Sequence, residues 1–324
     1  MKKSTKAWMI AGISLAVAGS AAFVGAMAML NWDFSKLSNI KYETNIYTVD
    51  QSFENLSVNV KTDNLSFALA EDGKCSVVCH EQEKMKHTVE VNQNTLEINV
   101  NDTREWYEHI GFFSFDSPKT TVYLPKERFA SLTIDASTGD IDIPKVFGFD
   151  SIGIYGSTGN VNCAASSKGL TQIKRSTGNI LVNGASSGEL KLTTSTGNIC
   201  LESVSTEGDI TISVSTGQST LSDVTCKNLT TDGSTGEVFL KNVIASQAFS
   251  IDRSTGDVAF DRCDAAEILV KTSTGDVTGS LLSEKVFITD TSTGDIRVPP
   301  TTTGGKCTIK TGTGDIRIDI PSLR

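Results

Sequence analysis

The chain has 324 residues, of which 7% are aromatic, with 27 glycines and 6 prolines. Abundant Gly, Ser, Thr and Asp together with short β-branched residues favour strands joined by tight turns, so an all-β fold is predicted. The net charge of −9 argues against a nucleic-acid partner, because phosphate contacts need clustered Lys and Arg and no basic stripe follows the first residues.

The first element is an apolar segment. After Lys2, Lys3 and Lys6, the 24 residues 7–30 carry no charge, and at ~1.5 Å rise they would form ~36 Å of helix, enough to cross a hydrocarbon core of ~30 Å. We therefore expect residues 1–30 to be cytoplasmic lysines followed by a transmembrane signal-anchor. The alternative is a signal peptide cleaved near Ala28. Both place the rest of the chain outside the cytoplasmic membrane, because the lysines stay inside.

Seven cysteines follow, an odd number at irregular spacings, which argues against a disulfide framework. In a strand, Cys75 and Cys79 would lie ~13 Å apart, whereas a disulfide needs Cα atoms ~5.5 Å apart, so both are predicted to be core residues. With His80 and His87 they could form a zinc cluster, but the spacing gives no tight ligand pair and the core interpretation is favoured.

Aromatic residues concentrate in the stretch "REWYEHIGFFSF", residues 104–115. We expect them to form the core of a cap, since aromatic side chains bury the most area. The alternative is a partner patch or a loop that contacts lipid, because exposed aromatic clusters mark interaction sites. The patch would consist of Trp106, Tyr107, Phe112, Phe113 and Phe115.

The phrase Ser-Thr-Gly recurs at steps of 19 or 20 residues. Apolar residues lie two and four positions after each glycine, such as Ile141 and Ile143, and seven and five positions before it, such as Leu132 and Ile134. Each repeat thus contains two short strands, with no room for a helical crossover. This predicts a single-domain β-solenoid, similar to a parallel β-helix, whose ten phrases would span on the order of 45 to 50 Å. The phrases begin at Ser137, Ser157, Ser176, Ser195, Ser215, Ser234, Ser254, Ser273 and Ser292, with an altered copy at Gly312.

The same pattern sets the domain boundaries. "LSVNVKTDNLSF" at 56–67 overlays "LTIDASTGDIDI", so the solenoid is predicted for residues 53–320, after a linker and entry strand at 31–52 and before a tail at 321–324. Residues 68–119 interrupt it with runs such as "HTVEV" and "TLEINV". Because terminal coils need a different outer face, this insertion is a candidate cap.

The repeated phrase is predicted to build corners, since glycine tolerates a positive φ and the following Asp or Asn can cap the turn. The corner glycines are Gly139, Gly159, Gly178, Gly197, Gly217, Gly236, Gly256, Gly275, Gly294 and Gly314. The acids that follow them would stack ~4.8 Å apart and are expected to be solvated. The weaker alternative is calcium binding by Asp257, Asp276, Asp295 and Asp315.

The last predicted element, "IRIDIPSLR", ends the chain soon after a strand. An open strand edge there would allow self-association or docking on an envelope partner, with Pro321 as a partial block.

Taken together, the anchor, "KYETNIYTVD", "WYEHIGF", "VYLPKERFASL" and the STGD/STGN array resemble the bacterial putative-adhesin family of unknown function. The resemblance implies a membrane-anchored, extracytoplasmic β-solenoid, sometimes encoded near envelope-stress regulators in Gram-positive bacteria. It transfers no catalytic residue.

No catalytic residue is predicted, because the acids are periodic rather than local and no nucleophile elbow, P-loop or HExxH phrase occurs. We expect a non-enzyme without a cofactor that acts as a surface binding or adhesin-like display module. Its expected partners are the membrane and a cell-wall glycan, an envelope protein or a host surface. The alternatives are an envelope-stress accessory protein and, third, a polysaccharide-acting enzyme.

Overall fold

The computed structural model describes residues 3–33, 41–105 and 117–321, which form one helix followed by strands. The helix α1 is Lys3–Met29. Its segment Trp8–Met29 is long and apolar enough to cross a membrane, a test of length and composition that a cleaved signal sequence also passes. The predicted N-terminal apolar helix is therefore confirmed.

The strands follow one another with short turns between them. The first fourteen are β1 (Tyr42–Val49), β2 (Asn55–Val60), β3 (Asn64–Leu69), β4 (Cys75–Gln82), β5 (Met85–Asn92), β6 (Thr95–Asp102), β7 (Lys119–Leu124), β8 (Arg128–Thr138), β9 (Ile141–Ile143), β10 (Gly148–Thr158), β11 (Val161–Cys163), β12 (Ser166–Ser167), β13 (Leu170–Thr177) and β14 (Ile180–Asn183). The remainder are β15 (Ser186–Ser187), β16 (Glu189–Thr196), β17 (Ile199–Glu202), β18 (Ser205–Thr206), β19 (Ile210–Thr216), β20 (Ser219–Thr235), β21 (Val238–Thr255), β22 (Val258–Thr274), β23 (Val277–Leu281), β24 (Lys285–Thr293), β25 (Ile296–Arg297), β26 (Gly305–Thr313) and β27 (Ile316–Asp319).

Equivalent strands of successive repeats pair in parallel and in register. One side of the coil runs through β8, β10, β13, β16 and β19, and a second side through β9, β11, β14 and β17. The long strands β20, β21 and β22 continue both sides, with a register shift at the corner between them, at Cys226/Asn228 and at Ala245/Ala248. The chain is thus a β-solenoid of about ten coils, as predicted.

The core is a thin apolar stack inside the coils. Leu132, Ile134, Ile141 and Ile143 are all buried, because successive side chains of a strand alternate between the inner and outer face. Phenylalanine rings also stack between neighbouring coils, with centroids 5.7 Å apart for Phe53 and Phe129 and 5.9 Å apart for Phe129 and Phe149. Apolar contact between coils therefore accompanies the backbone ladder throughout.

The middle coils have a third side that the sequence pattern did not reveal. The short strands β12, β15 and β18 stack on one another and place Ser167, Ser187 and Thr206 inward. The Ser167 and Ser187 hydroxyls lie 2.9 Å apart, so these polar groups satisfy each other. The prediction of two strands per repeat is wrong here, because small polar residues leave no apolar alternation.

The N-terminal end of the solenoid is covered by antiparallel strands. The first coil, β2 and β3, lies between β6 and β7 on one side and β8 and β9 on the other. Beyond this layer, β5 pairs antiparallel with β6, and β4 pairs antiparallel with both β7 and β1. Strands within the expected insertion at 68–119 thus close this end over the described residues.

The C-terminal end stacks in a different order from the sequence. The last strands, β26 and β27, insert between β22 and β23 on one side and β24 and β25 on the other. The prediction that "IRIDIPSLR" forms the open edge is wrong, because β27 has partners on both sides. The outermost coil among the described residues is instead β24 and β25. Ile296, two positions after Gly294 and therefore expected in the core, is 46% exposed because no further coil of the described residues covers it.

Two arginines lie inside the solenoid, each 1% exposed. Arg175 donates hydrogen bonds to the carbonyl oxygens of Ala136, Gly139, Thr158 and Gly159 at 2.7 to 3.1 Å. Arg253 donates to Val214 O at 3.2 Å and Ser219 Oγ at 2.8 Å. Burial lowers the pKa of both guanidinium groups, yet arginine stays charged in proteins. Backbone carbonyls, and for Arg253 also the Ser219 hydroxyl, thus solvate these cations.

Candidate functional site

The corner glycines form one column along the solenoid. All ten have φ between 121° and 150°. They also lie against each other, since a Cβ on Gly197 would be 2.1 Å from the carbonyl oxygen of Gly178. Both the positive φ and the close stacking exclude a side chain at this position.

The polar residue after each glycine binds the neighbouring coil rather than its own turn. The backbone N–H of Asn160 donates to Asp140 Oδ1 at 2.7 Å, and that of Asn179 donates to Asn160 Oδ1 at 3.0 Å. We expected this side chain to cap its own turn. It instead forms a hydrogen bond between coils, because the corners stack directly above one another.

The calcium candidates belong to this column, in the stacking order Asp257, Asp276, Asp315, Asp295. Each of the last three donates its backbone N–H to the carboxylate of the one before, at 2.7 to 2.8 Å. Three of the carboxylates therefore already accept a backbone hydrogen bond. Calcium binding stays a prediction for these residues.

The aromatic patch cannot be placed in this geometry. Trp106, Tyr107, Phe112, Phe113 and Phe115 lie outside the described residues, which stop at 105 and resume at 117.

All seven cysteines are free, and all except Cys200 are buried. Cys75 and Cys79 are 6% and 0% exposed on the inner face of β4, which confirms the core interpretation for their burial. Burial raises the pKa of the Cys163 thiol to about 12, so this thiol is a poor nucleophile.

A buried polar cluster lies where the cap meets the first coil. It consists of Asp63, Cys79, Glu81, His87 and Thr120, each less than 5% exposed. Asp63 lies at the corner before β3, Cys79 and Glu81 alternate inward on β4, His87 lies on β5 and Thr120 on β7. The cap hairpin and the first coil thus meet at titratable groups inside an otherwise apolar stack.

His87 is the centre of the cluster. Its Nδ1 lies 2.5 Å from Glu81 Oε2, and its Nε2 lies 3.3 Å from both Asp63 Oδ1 and Thr120 Oγ1. Burial lowers the pKa of His87, but hydrogen bonds with Asp63 and Cys79 outweigh this effect and raise the pKa to about 10. The imidazole therefore carries two protons at neutral pH, each facing a carboxylate.

Glu81 is fully hydrogen-bonded, whereas Asp63 is not. Glu81 accepts from Asn45 Nδ2 at 2.7 Å, Tyr47 Oη at 3.1 Å and the His87 backbone N–H at 2.6 Å. By contrast, Asp63 Oδ2 is buried without a hydrogen-bond partner among the described residues.

The sequence pattern identified only part of this cluster. Of the four residues weighed for zinc, Cys79 and His87 come together. Cys75 is not in the group, and His80 lies on the other face of β4, where it stacks on Tyr42 at 5.2 Å. Asp63 and Glu81 were missed, although inward alternation on β4 could have indicated Glu81.

Comparison with known proteins places the fold in a family. The Toastrack DUF4097 family matches residues 53–214 and 207–324. Similar solved structures include a putative adhesin from Bacteroides fragilis, with 16% identity over 86% of this chain and 97% of that chain and a TM-score of 0.42. A putative adhesin from Parabacteroides distasonis has 13% identity over 85% and 98% of the chains and a TM-score of 0.39.

A further structure, a putative lipid binding protein from Parabacteroides distasonis, has 14% identity over 85% of this chain and 98% of that chain, with a TM-score of 0.29. A comparison with curated proteins gives no match.

Proposed function

The chain belongs to the Toastrack DUF4097 family, and we propose that it is a non-catalytic, membrane-anchored module that holds a rigid binding surface outside the cytoplasmic membrane. The observation that carries this proposal is the unbroken ladder of corner residues. One threonine per coil pairs with the next through ten coils, in the order Thr138, Thr158, Thr177, Thr196, Thr216, Thr235, Thr255, Thr274, Thr313 and Thr293.

Such a ladder supports a mechanical role for the repeats. Their inward residues form the core, their glycines form corners, and their Asp and Asn side chains bond neighbouring coils. A stack with these contacts resists bending, because each coil is hydrogen-bonded along its length to the next. The repeats therefore give span and stiffness, and recognition would involve outward side chains or the ends.

The anchor sets the direction of the module. The helix α1 ends at Met29, and β1 begins at Tyr42 and pairs with β4 in the cap. If α1 spans the membrane as proposed, about 12 residues would join the capped end to it, and the outermost coil, β24 and β25, would be the end of the solenoid farther from the membrane.

A labelling experiment tests the location. Cys200 is the one cysteine of the seven that is not buried, so a membrane-impermeant maleimide applied to intact cells should label the full chain there. Burial and Glu202 raise the pKa of the Cys200 thiol, so the reaction is run at mildly alkaline pH with Ser195→Cys as a more exposed second target. Cys200→Ser should lose the label. Labelling that appears only after lysis would contradict an outside location.

Binding is tested with the full chain in detergent micelles, immobilised and offered purified cell-wall glycan, envelope proteins or host matrix proteins. We expect saturable binding to one of these classes. Loss of all saturable binding with an intact β-sheet spectrum would reject the binding module.

A further inference from the structure

We propose that Asp63, Cys79 and His87 form a closed site for a zinc-like divalent cation that fastens the cap to the first coil. The three residues come from the corner before β3, from β4 and from β5. A cation bound by them would join segments that are otherwise held by strand pairing and apolar packing.

The donor atoms surround one point. Asp63 Oδ1, His87 Nε2 and Cys79 Sγ lie 3.2, 3.3 and 3.8 Å from the same atom, Thr120 Oγ1. A sulfur, an imidazole nitrogen and a carboxylate oxygen are the ligand types of zinc sites, which are usually tetrahedral. Thr120 Oγ1 now occupies this point, so the cation would displace the Thr120 hydroxyl, which would move to the fourth position.

Glu81 has the place of the group that orients a metal-bound histidine. Such histidines usually donate the N–H that does not face the metal to a carboxylate, and Glu81 Oε2 lies 2.5 Å from His87 Nδ1. Since Asn45, Tyr47 and the His87 backbone also donate to Glu81, its position is fixed. Glu81 is therefore a positioning residue, and His87 Nε2 is the ligand atom once it has released its proton to solvent as the cation binds.

Independent support comes from the unsatisfied oxygen of Asp63. This side chain is 1% exposed, and its Oδ2 lacks a hydrogen-bond partner among the described residues. Leaving a buried carboxylate oxygen unpaired is costly. The two carboxylates also face a single imidazole, which can offset at most one negative charge. A divalent cation bound by both oxygens of the Asp63 carboxylate would satisfy Oδ2 and the charge together.

The cluster stands apart from the rest of the described chain. Within it, Cys79, Glu81 and His87 form the one group of at least three His, Cys, Asp or Glu residues, among the described residues, whose ligand atoms all lie within 4.8 Å of one another. Asp63 adjoins this group, with its Oδ1 3.3 Å from His87 Nε2. Since the side chains of Asp63, Glu81 and His87 are 1% exposed, the cation would enter during folding. A structural role follows, because a catalytic metal needs an open position.

The experiment measures metal binding by the full chain in detergent. Chain refolded after chelator treatment is given Zn²⁺ against a competing indicator, and Co²⁺ for spectroscopy. We expect one ion per chain, a higher melting temperature with Zn²⁺, and a thiolate-to-cobalt charge-transfer band. Cys79→Ser should abolish the band, and His87→Gln should abolish stoichiometric binding. Glu81→Gln should weaken binding by about 10- to 100-fold.

Matched controls separate this site from others. Cys163→Ser removes a buried cysteine from β11, and His80→Gln removes the histidine on the opposite face of β4, so both should keep the band and the affinity. If Cys79→Ser fails to fold, the wild-type cobalt spectrum decides. Absence of stoichiometric binding or of a thiolate band in the wild type, or binding that His80→Gln alone removes, would overturn the proposal.

Discussion

At the residue scale, each interior arginine fits a glycine in the preceding coil. A Cβ on Gly156 would lie 2.0 Å from Arg175 Nη1, and one on Gly233 would lie 1.9 Å from Arg253 Nη1. The sequence contains this pairing twice, as "GSTG" followed one repeat later by "RSTG". A missing side chain in one coil thus makes room for a guanidinium from the next.

This pairing predicts the effect of adding one methyl group. Gly156→Ala should destabilise the fold by about 1 to 3 kcal/mol, because the Cβ would also meet Ala136 O at 2.0 Å and overpacking has no room to relax. Gly153→Ala on the same strand is the control, since its Cβ meets only the ring of Tyr155, at 3.0 Å or more. Urea denaturation of the full chain in detergent measures both, and equal midpoints would contradict the pairing.

At the element scale, the coil corner is defined by backbone geometry more than by its side chains. Gly73 and Gly197 both have positive φ, 73° and 141°. Only Gly197 lies against a neighbouring carbonyl, because the turn at Gly73 has open space within 4 Å. The solenoid corner therefore restricts its residue in two ways, by the positive φ and by the stacked carbonyl, whereas the turn at Gly73 imposes only the first.

Comparing these two glycines measures the stacking restriction. Gly73→Ala should cost about 1 kcal/mol, from the positive φ alone. Gly197→Ala should cost about 2 to 5 kcal/mol, because the overlap with Gly178 O is added. The test is the shift of the thermal midpoint for each variant. Similar shifts of the two midpoints would contradict this prediction, because they would show that the corner accommodates the Cβ at no free-energy cost beyond that of the positive φ.

The buried cluster is also an element-scale feature. Alternation along β4 could be predicted, and it places Cys75, Cys79 and Glu81 inward. The contact of β4 and β5 with Asp63 and Thr120 could not be predicted, because no periodicity in the sequence relates the cap hairpin to the first coil.

At the scale of the whole molecule, the two ends of the solenoid differ. Antiparallel strands cover the N-terminal end, whereas β24 and β25 have strand partners on one side only within the described residues. This edge carries exposed Val286, Ile288 and Ile296. Unpaired edges with apolar side chains favour pairing with another chain.

We therefore expect the chain to self-associate through this edge. Sedimentation of the full chain in density-matched detergent should show a concentration-dependent larger species, and Ile288→Lys should remove it, because charges on edge strands oppose pairing. Val146→Lys is the control, since Val146 is a similarly exposed valine before β10. A monomer at every concentration would contradict this prediction, as would equal effects of both variants.

The sequence by itself determined the period of the coil and two of its sides. The 19- or 20-residue period, the alternating apolar residues and the corner glycines each act within one repeat or between adjacent equivalent positions. The apolar N-terminal helix was equally readable, because its length and lack of charge are local properties. These features follow from short-range backbone and side-chain rules.

Only the tertiary structure decided the order of the coils and the contents of the capped end. The insertion of β26 between β22 and β24, and of β2 between β6 and β8, keeps equivalent apolar positions paired in parallel. Because the repeats present nearly equivalent edges, their period cannot specify which neighbour each one pairs with. Asp63, Cys79, Glu81 and His87 meet for a related reason: their contact depends on how the cap docks, and that lies outside the repeat.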